Sequence, residues 1–155
     1  MRTWLRRTRG ERGTALIETA FVLPIMLLVC VGILEFGRAY QTWQVVTNAS
    51  REGARVAILP EYTDDSVKAR VKTYLKNGGL PATVVDGADT KILISETTIP
   101  IDVGGGSTAS AARIVVEYPF QFMVLQPVAS LLVAGSTAGA PIALTATATM
   151  RNESQ

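Results

Sequence analysis

The stretch ALIETAFVLPIMLLVCVGILEFG, residues 15–37, decides how the rest of the chain is read. Of its twenty-three residues only Glu18 and Glu35, near the two ends, are charged, and the sixteen from Thr19 to Leu34 carry no charge at all. A bilayer core takes roughly 20 residues of helix, so the run is long enough to span. Pro24 lies inside it, and a proline in a membrane helix bends the helix rather than ending it. A cleaved secretory signal would need a shorter apolar core followed by a small-x-small site. The sequence after Leu34, EFGRAYQTW, offers no such site, so the segment is expected to stay attached.

Ahead of the run, Arg2, Arg6, Arg7, Arg9 and Arg12 against Glu11 put +4 in the first thirteen residues, while the whole chain carries only +2. A basic tail before an apolar segment is a membrane-orientation signal. It is expected to hold residues 1–13 in the cytoplasm, leave 14–37 in the bilayer and place everything after Gly37 outside. The chain's 155 residues leave room for one modest domain beside the anchor. No histidine is present, which removes the commonest general base and metal ligand. The single cysteine, Cys30, lies mid-span, so no intramolecular disulfide or thiolate cluster can form. It reads as a small buried hydrophobe.

Helical character continues past the anchor. Residues 38–59 contain no proline, and the larger apolar residues Tyr40, Trp43, Val46, Val56 and Leu59 are separated by alanines. Tyr40 and Trp43 suit a membrane–water interface. A helix from Thr14 to Leu59 would be roughly 70 Å long at 1.5 Å per residue, its second half an amphipathic stem on which a domain packs. A shorter helix follows in TDDSVKARVKTYLKNGG, with Asp64 and Asp65 at its start and Lys76 at its end, matching the helix dipole. Val67, Val71, Tyr74 and Leu75 form its apolar face, and Asn77, Gly78 and Gly79 stop it.

The remaining chain reads as strands. KILISETTI (91–99) is one; RIVVEYPF (113–120) alternates with Ile114, Val116, Tyr118 and Phe120 on one face; ALTATATMR (143–151) sets Leu144, Ala146, Ala148 and Met150 against three threonines and Arg151. A weaker strand is expected at Thr83–Val85. DVGGGSTASA (102–111) reads as a flexible hairpin loop; it lacks the lysine and following helix of a phosphate-binding loop. FMVLQPVASLLVAGSTAGAP (122–141) is apolar but too broken to span. It reads either as a loop and short helix covering the sheet or stem, or as an exposed patch contacting membrane or a neighbouring subunit. The fold class is therefore α+β: a long N-terminal helix, a short second helix and a small antiparallel sheet of three to four strands, with 60–155 as the outer domain.

Glu18 is the costly residue. A carboxylate at a membrane helix centre costs roughly 2.5–3.5 kcal/mol, less near an end. Basic leader, Gly13, four uncharged residues, Glu18 and then an apolar helix together resemble the processing signal of type IV pilin-like proteins. More specifically, the chain resembles the TadE-like minor pseudopilins of tight-adherence (Flp pilus) loci. The resemblance rests on ERGTALIETAFVLPIMLL, GILEFGRAYQ, ASREGARVA, RIVVEYPF and TATATMRNE, in this order from Glu11 to Glu153. Thr19 stands where many tight-adherence pilins have an aromatic residue.

The resemblance implies a non-enzymatic assembly factor of the bacterial inner membrane, cut by a prepilin peptidase between Gly13 and Thr14. It would act alongside other minor pseudopilins and a major pilin, either in the membrane or within the pilus. The new ammonium at Thr14 would then pair with Glu18 of the same or an adjacent subunit. Arg51 and Arg55 are i, i+4 neighbours with Glu52 beside them. They read as a solvated stem face, or as a contact to the outer domain or a partner subunit. The competing function is an unprocessed bitopic protein whose outer domain binds a secretion or envelope partner. No cluster supports an enzyme: Asp64 and Asp65 are adjacent on a helix and project apart, a poor acid–base pair. No catalytic, metal or cofactor residues are expected, and no nucleic-acid or small-molecule partner.

Overall fold

The computed structural model describes residues 8–59, 61–100, 108–127 and 139–152, with side chains from Gly13 onward. Helix α1 runs unbroken from Thr8 to Ala57, 50 residues with Pro24 inside. At 1.5 Å per residue that is about 75 Å. It starts six residues before the expected Thr14 and ends two before Leu59. Its two halves have different surroundings. From Leu16 to Val29 the large apolar side chains stand exposed, and this is the helix long and apolar enough to cross a membrane.

From Glu35 onward α1 buries one stripe: Glu35, Ala39, Thr42, Val46, Ala49, Ser50, Gly53, Ala54 and Ala57. The spacing of three and four residues is that of one helix face. The stripe is made mostly of small residues. The larger Tyr40, Trp43 and Leu59 are exposed.

Helix α2 spans Asp64–Asn77. Thr63 caps it: its hydroxyl accepts from the Ser66 N–H at 3.2 Å, and the Ser66 hydroxyl accepts from the Thr63 N–H at 3.1 Å. The reciprocal pair satisfies two otherwise orphaned donors. At the other end the Leu80 N–H bonds the Leu75 carbonyl and the Gly79 N–H bonds the Lys76 carbonyl. This is a Schellman closure whose left-handed residue is Gly79, at φ 85°. Val67, Val71 and Leu75 are fully buried. Tyr74, expected on the same face, is 37% exposed. At about 100° per residue it lies on the flank of that stripe.

The helices meet at Gly53. A Cβ there would sit 2.6 Å from Val71 Cγ2 and 3.3 Å from Ile114 Cγ2, so only glycine fits without displacement. The expected strand at Thr83–Val85 is instead a one-turn helix, α3, at Ala82–Val85. The Pro81 carbonyl accepts from the N–H groups of Val84 and Val85. Tertiary context thus overrides the β preference of valine and threonine. The Thr90 hydroxyl donates to the Val84 carbonyl at 2.7 Å and ties the exit of α3 to the sheet.

Three strands complete the described chain: β1 (Lys91–Pro100), β2 (Thr108–Phe120) and β3 (Ile142–Arg151). They form one antiparallel sheet in the order β1-β2-β3. Strand β2 begins inside the stretch expected to be loop, taking in 108–111; residues 101–107 lie outside the described chain. Val116 pairs with Ile92 and Ala146, and Ile114 with Ile94 and Ala148. These rows face the helices and share one core with Val46, Ala49, Ala54 and Ala57 of α1 and the buried face of α2. On the opposite face Val115 lies between Leu93 and Thr147, and Arg113 between Ser95 and Thr149. One side of the sheet is packed and the other wet.

Candidate assembly and membrane-anchoring site

The residues expected to form a processing signal lie near the start of α1. Gly13, Thr14 and Glu18 are helical and exposed. Thr14 and Glu18 are one turn apart and share a face. Among the described residues the Glu18 carboxylate has no hydrogen-bond or ion-pair partner. It heads a shallow apolar groove along the helix formed with Val22, Met26 and Cys30 at four-residue steps, beside Thr19, Leu23 and Leu27. The Thr19 hydroxyl donates back to the Ala15 carbonyl at 2.8 Å, so this polar residue satisfies itself within the helix. Cys30, expected to be buried, is exposed on this face; lipid rather than protein is what a spanning helix would offer it.

A helical Gly13 differs from the extended backbone that a peptidase site requires. A cut between Gly13 and Thr14 therefore calls for local unwinding, which the helix penalty of glycine makes easier by about 1 kcal/mol. Nothing lies within 4 Å of where a Gly13 Cβ would stand.

Of Arg51, Glu52 and Arg55, the last two are paired with each other. Glu52 Oε1 accepts from Arg55 Nη2 and from Arg70 Nε, both at 2.8 Å, and Arg55 Nε donates to Glu52 Oε2 at 3.0 Å. Arg70 belongs to α2, so Glu52 ties α1 to α2. The two guanidiniums hold its carboxyl at a pKa of about 2, well below the usual range. Arg51 is exposed and, among the described residues, unpaired. Lys76 and Lys72 similarly hold Asp86, at 2.8 and 3.7 Å, across from α2 to the end of α3.

Glu35 is the residue that sequence reasoning missed. It sits at the end of the apolar run yet is only 4% exposed. Its Oε2 accepts from the Met123 N–H at 3.0 Å, and its Oε1 takes Arg38 Nη1 at 3.2 Å. The chain leaving β2 is thereby fastened to α1. Phe122 meets Phe36 edge-on at 6.1 Å and Phe120 at 5.2 Å, and with Ala39 forms a small second core. Arg38 lies over the Phe120 ring at 5.5 Å. Next to this junction a cleft of about 500 Å³ opens between the stem, the α2–α3 turn and the end of β2, lined by Thr42, Val45, Leu80, Val84 and Tyr118 among others. Burial raises the Tyr118 phenol above its ordinary pKa. Of the 122–141 stretch, residues 122–127 and 139–141 are described, and Phe122 and Leu125 pack with Ala39 of the stem. The only sequence signal for the Glu35 junction was a second carboxylate at the edge of an apolar run.

One exposed apolar helix carrying a small α+β head fits a single-pass membrane protein. Residues 13–55 match the family model for TadE-like protein, the family that the sequence resembles. The match suggests involvement in tight-adherence pilus assembly, and that family is generally non-enzymatic. It covers α1 from Gly13 through Glu18, Glu35 and Glu52 to Arg55, and leaves the head unmatched. No curated protein and no solved structure matches the chain.

Proposed function

We propose that this chain is a minor pseudopilin-like assembly factor of tight-adherence (Flp type IVb) pili, cut by a prepilin peptidase after Gly13. The observation that carries the reading is the match over 13–55, which takes in Gly13, Glu18 and the whole apolar run. Residues 1–13 are the leader, 14–37 the membrane helix, 38–59 the stem and 60–155 the extracytoplasmic domain. The N-terminus stays in the cytoplasm and the protein resides in the bacterial inner membrane. After cleavage the Thr14 ammonium lies one helical turn from Glu18, so pairing with its own or a neighbouring subunit's carboxylate offsets the cost of a charge in lipid. Its partners are the peptidase, other minor pseudopilins and a major pilin.

Co-expression with the cognate peptidase is expected to yield a mature chain beginning at Thr14 by intact mass. A chain that keeps Met1 would overturn the processed reading. Gly13→Leu should block the cut. Because nothing lies within 4 Å of a Cβ at this position, loss of cleavage there reports peptidase recognition and local unwinding rather than misfolding. The helical state of Gly13 and Thr14 favours the second reading, an unprocessed bitopic protein whose head binds an envelope or secretion partner; retention of Met1 is what that reading expects.

A further inference from the structure

The exit of β2 is placed at a depth that an outer domain would not otherwise reach. The uncharged run Thr19–Leu34 is centred between Met26 and Leu27. For a helix near the membrane normal, Glu35 and Phe36 are then about 13 Å along the axis from the midplane, inside the half-thickness of about 15 Å of a hydrocarbon core. The Glu35 carboxylate holds the Met123 backbone at that level. Phe36, Met123 and Val124 are 63%, 68% and 41% exposed there.

We propose that residues 121–125 are a second membrane contact, a turn fastened to α1 at Glu35 that inserts Met123 and Val124 into the leaflet facing the head. The occupant of this apolar surface is lipid. Three observations favour lipid over a protein partner. The turn is joined to the apolar helix through Phe36, which is exposed and meets Phe122 at 6.1 Å. The Met123 N–H, which hydrocarbon could not satisfy, is already bonded to Glu35. The anchoring side of the turn is packed, with Phe122 and Leu125 against Ala39 and Phe120, so the two outward residues need no protein cover to be held in place. Arg38, which pairs with Glu35, and Tyr40 follow at headgroup depth. The head then has two attachments to the bilayer, which fix its tilt and rotation relative to the membrane plane.

The inference rests on α1 spanning the bilayer, and the test separates the two. In a Cys30→Ser background, Ile25→Cys, Met123→Cys, Val124→Cys and Ser95→Cys each receive an environment-sensitive fluorophore, in full-length protein reconstituted into phosphatidylethanolamine–phosphatidylglycerol vesicles. Emission at positions 123 and 124 should be blue-shifted and lost to spin-labelled lipid, while Ser95 on β1 loses emission to aqueous iodide. A lipid-shielded Ile25 with positions 123 and 124 open to iodide overturns the proposal and leaves the spanning helix intact. An Ile25 label open to iodide overturns the spanning helix itself, and the inference with it. Shielding at 123 from both quenchers that disappears on dilution in lipid assigns the patch to a second protein copy and also overturns the proposal.

Discussion

Two residues on α1 show how little side-chain bulk the stem tolerates and how much charge it commits. At Gly53 an added methyl meets Val71 Cγ2 at 2.6 Å. Valine is β-branched and cannot swing aside, so the overpacking penalty of about 1–3 kcal/mol should exceed the gain of about 1 kcal/mol in helix propensity. Gly53→Ala is expected to lower the thermal midpoint of the detergent-solubilised protein. In the Gly53→Ala/Val71→Ala double variant the two losses should fall short of additive, because each relieves the other. Glu18 has the opposite character, exposed and without a partner among the described residues. Glu18→Gln should insert normally and keep the fold, yet fail to support pilus formation; normal piliation would exclude a pairing role.

Among the elements, the α1–α2 tie is the one with a pH signature. The Glu52 carboxyl is held near pKa 2 by Arg55 and Arg70, against an ordinary value of 4.5. A depressed carboxylate adds stability that is complete above the unfolded value and is lost as pH falls through the window from about 4.5 to 2. Both arginines are about half exposed, so the effect is modest, on the order of 1 kcal/mol or less per pair. Circular-dichroism melts should show wild type losing more of its midpoint between pH 5 and pH 3 than Glu52→Gln does. The caps of α2 and the alternation of β2 and β3 were legible because each leaves a local mark: Asp64, Asp65 and the two glycines for the helix, Ile114, Val116, Tyr118 and Phe120 for the strand. The stem's packing face was not, because residues as small as Ala49, Gly53 and Ala57 carry too little apolar area to mark a face by themselves. It is the small residues that let α2 and the sheet approach the helix axis. Valines at 84 and 85 misled for a related reason, since one turn of helix after Pro81 is decided by what flanks it.

Over the whole molecule, the apolar run, its basic flank, the two long helices and the three strands could be read from residue type and period. The junction between membrane helix and head could not. It joins Glu35 to Met123, and no periodic pattern reports a carboxylate meeting a backbone N–H across 88 positions. The 13–55 match stops at the stem, so the head's contribution to recognition has to be sought in its own surfaces.

The core's connectivity has a consequence for biogenesis. Val46, Ala49, Ala54 and Ala57 are completed by Ala146 and Ala148 of β3, about a hundred residues later in the chain. During synthesis the stem therefore emerges with its small-residue face bare, and no earlier element can substitute for the last strand on it. The head's core closes only after β3 has been made. Until then part of the stripe stays open to holdases and proteases. A chain arrested before Ile142 should be degraded from the stem outward, while its apolar helix remains seated in the bilayer.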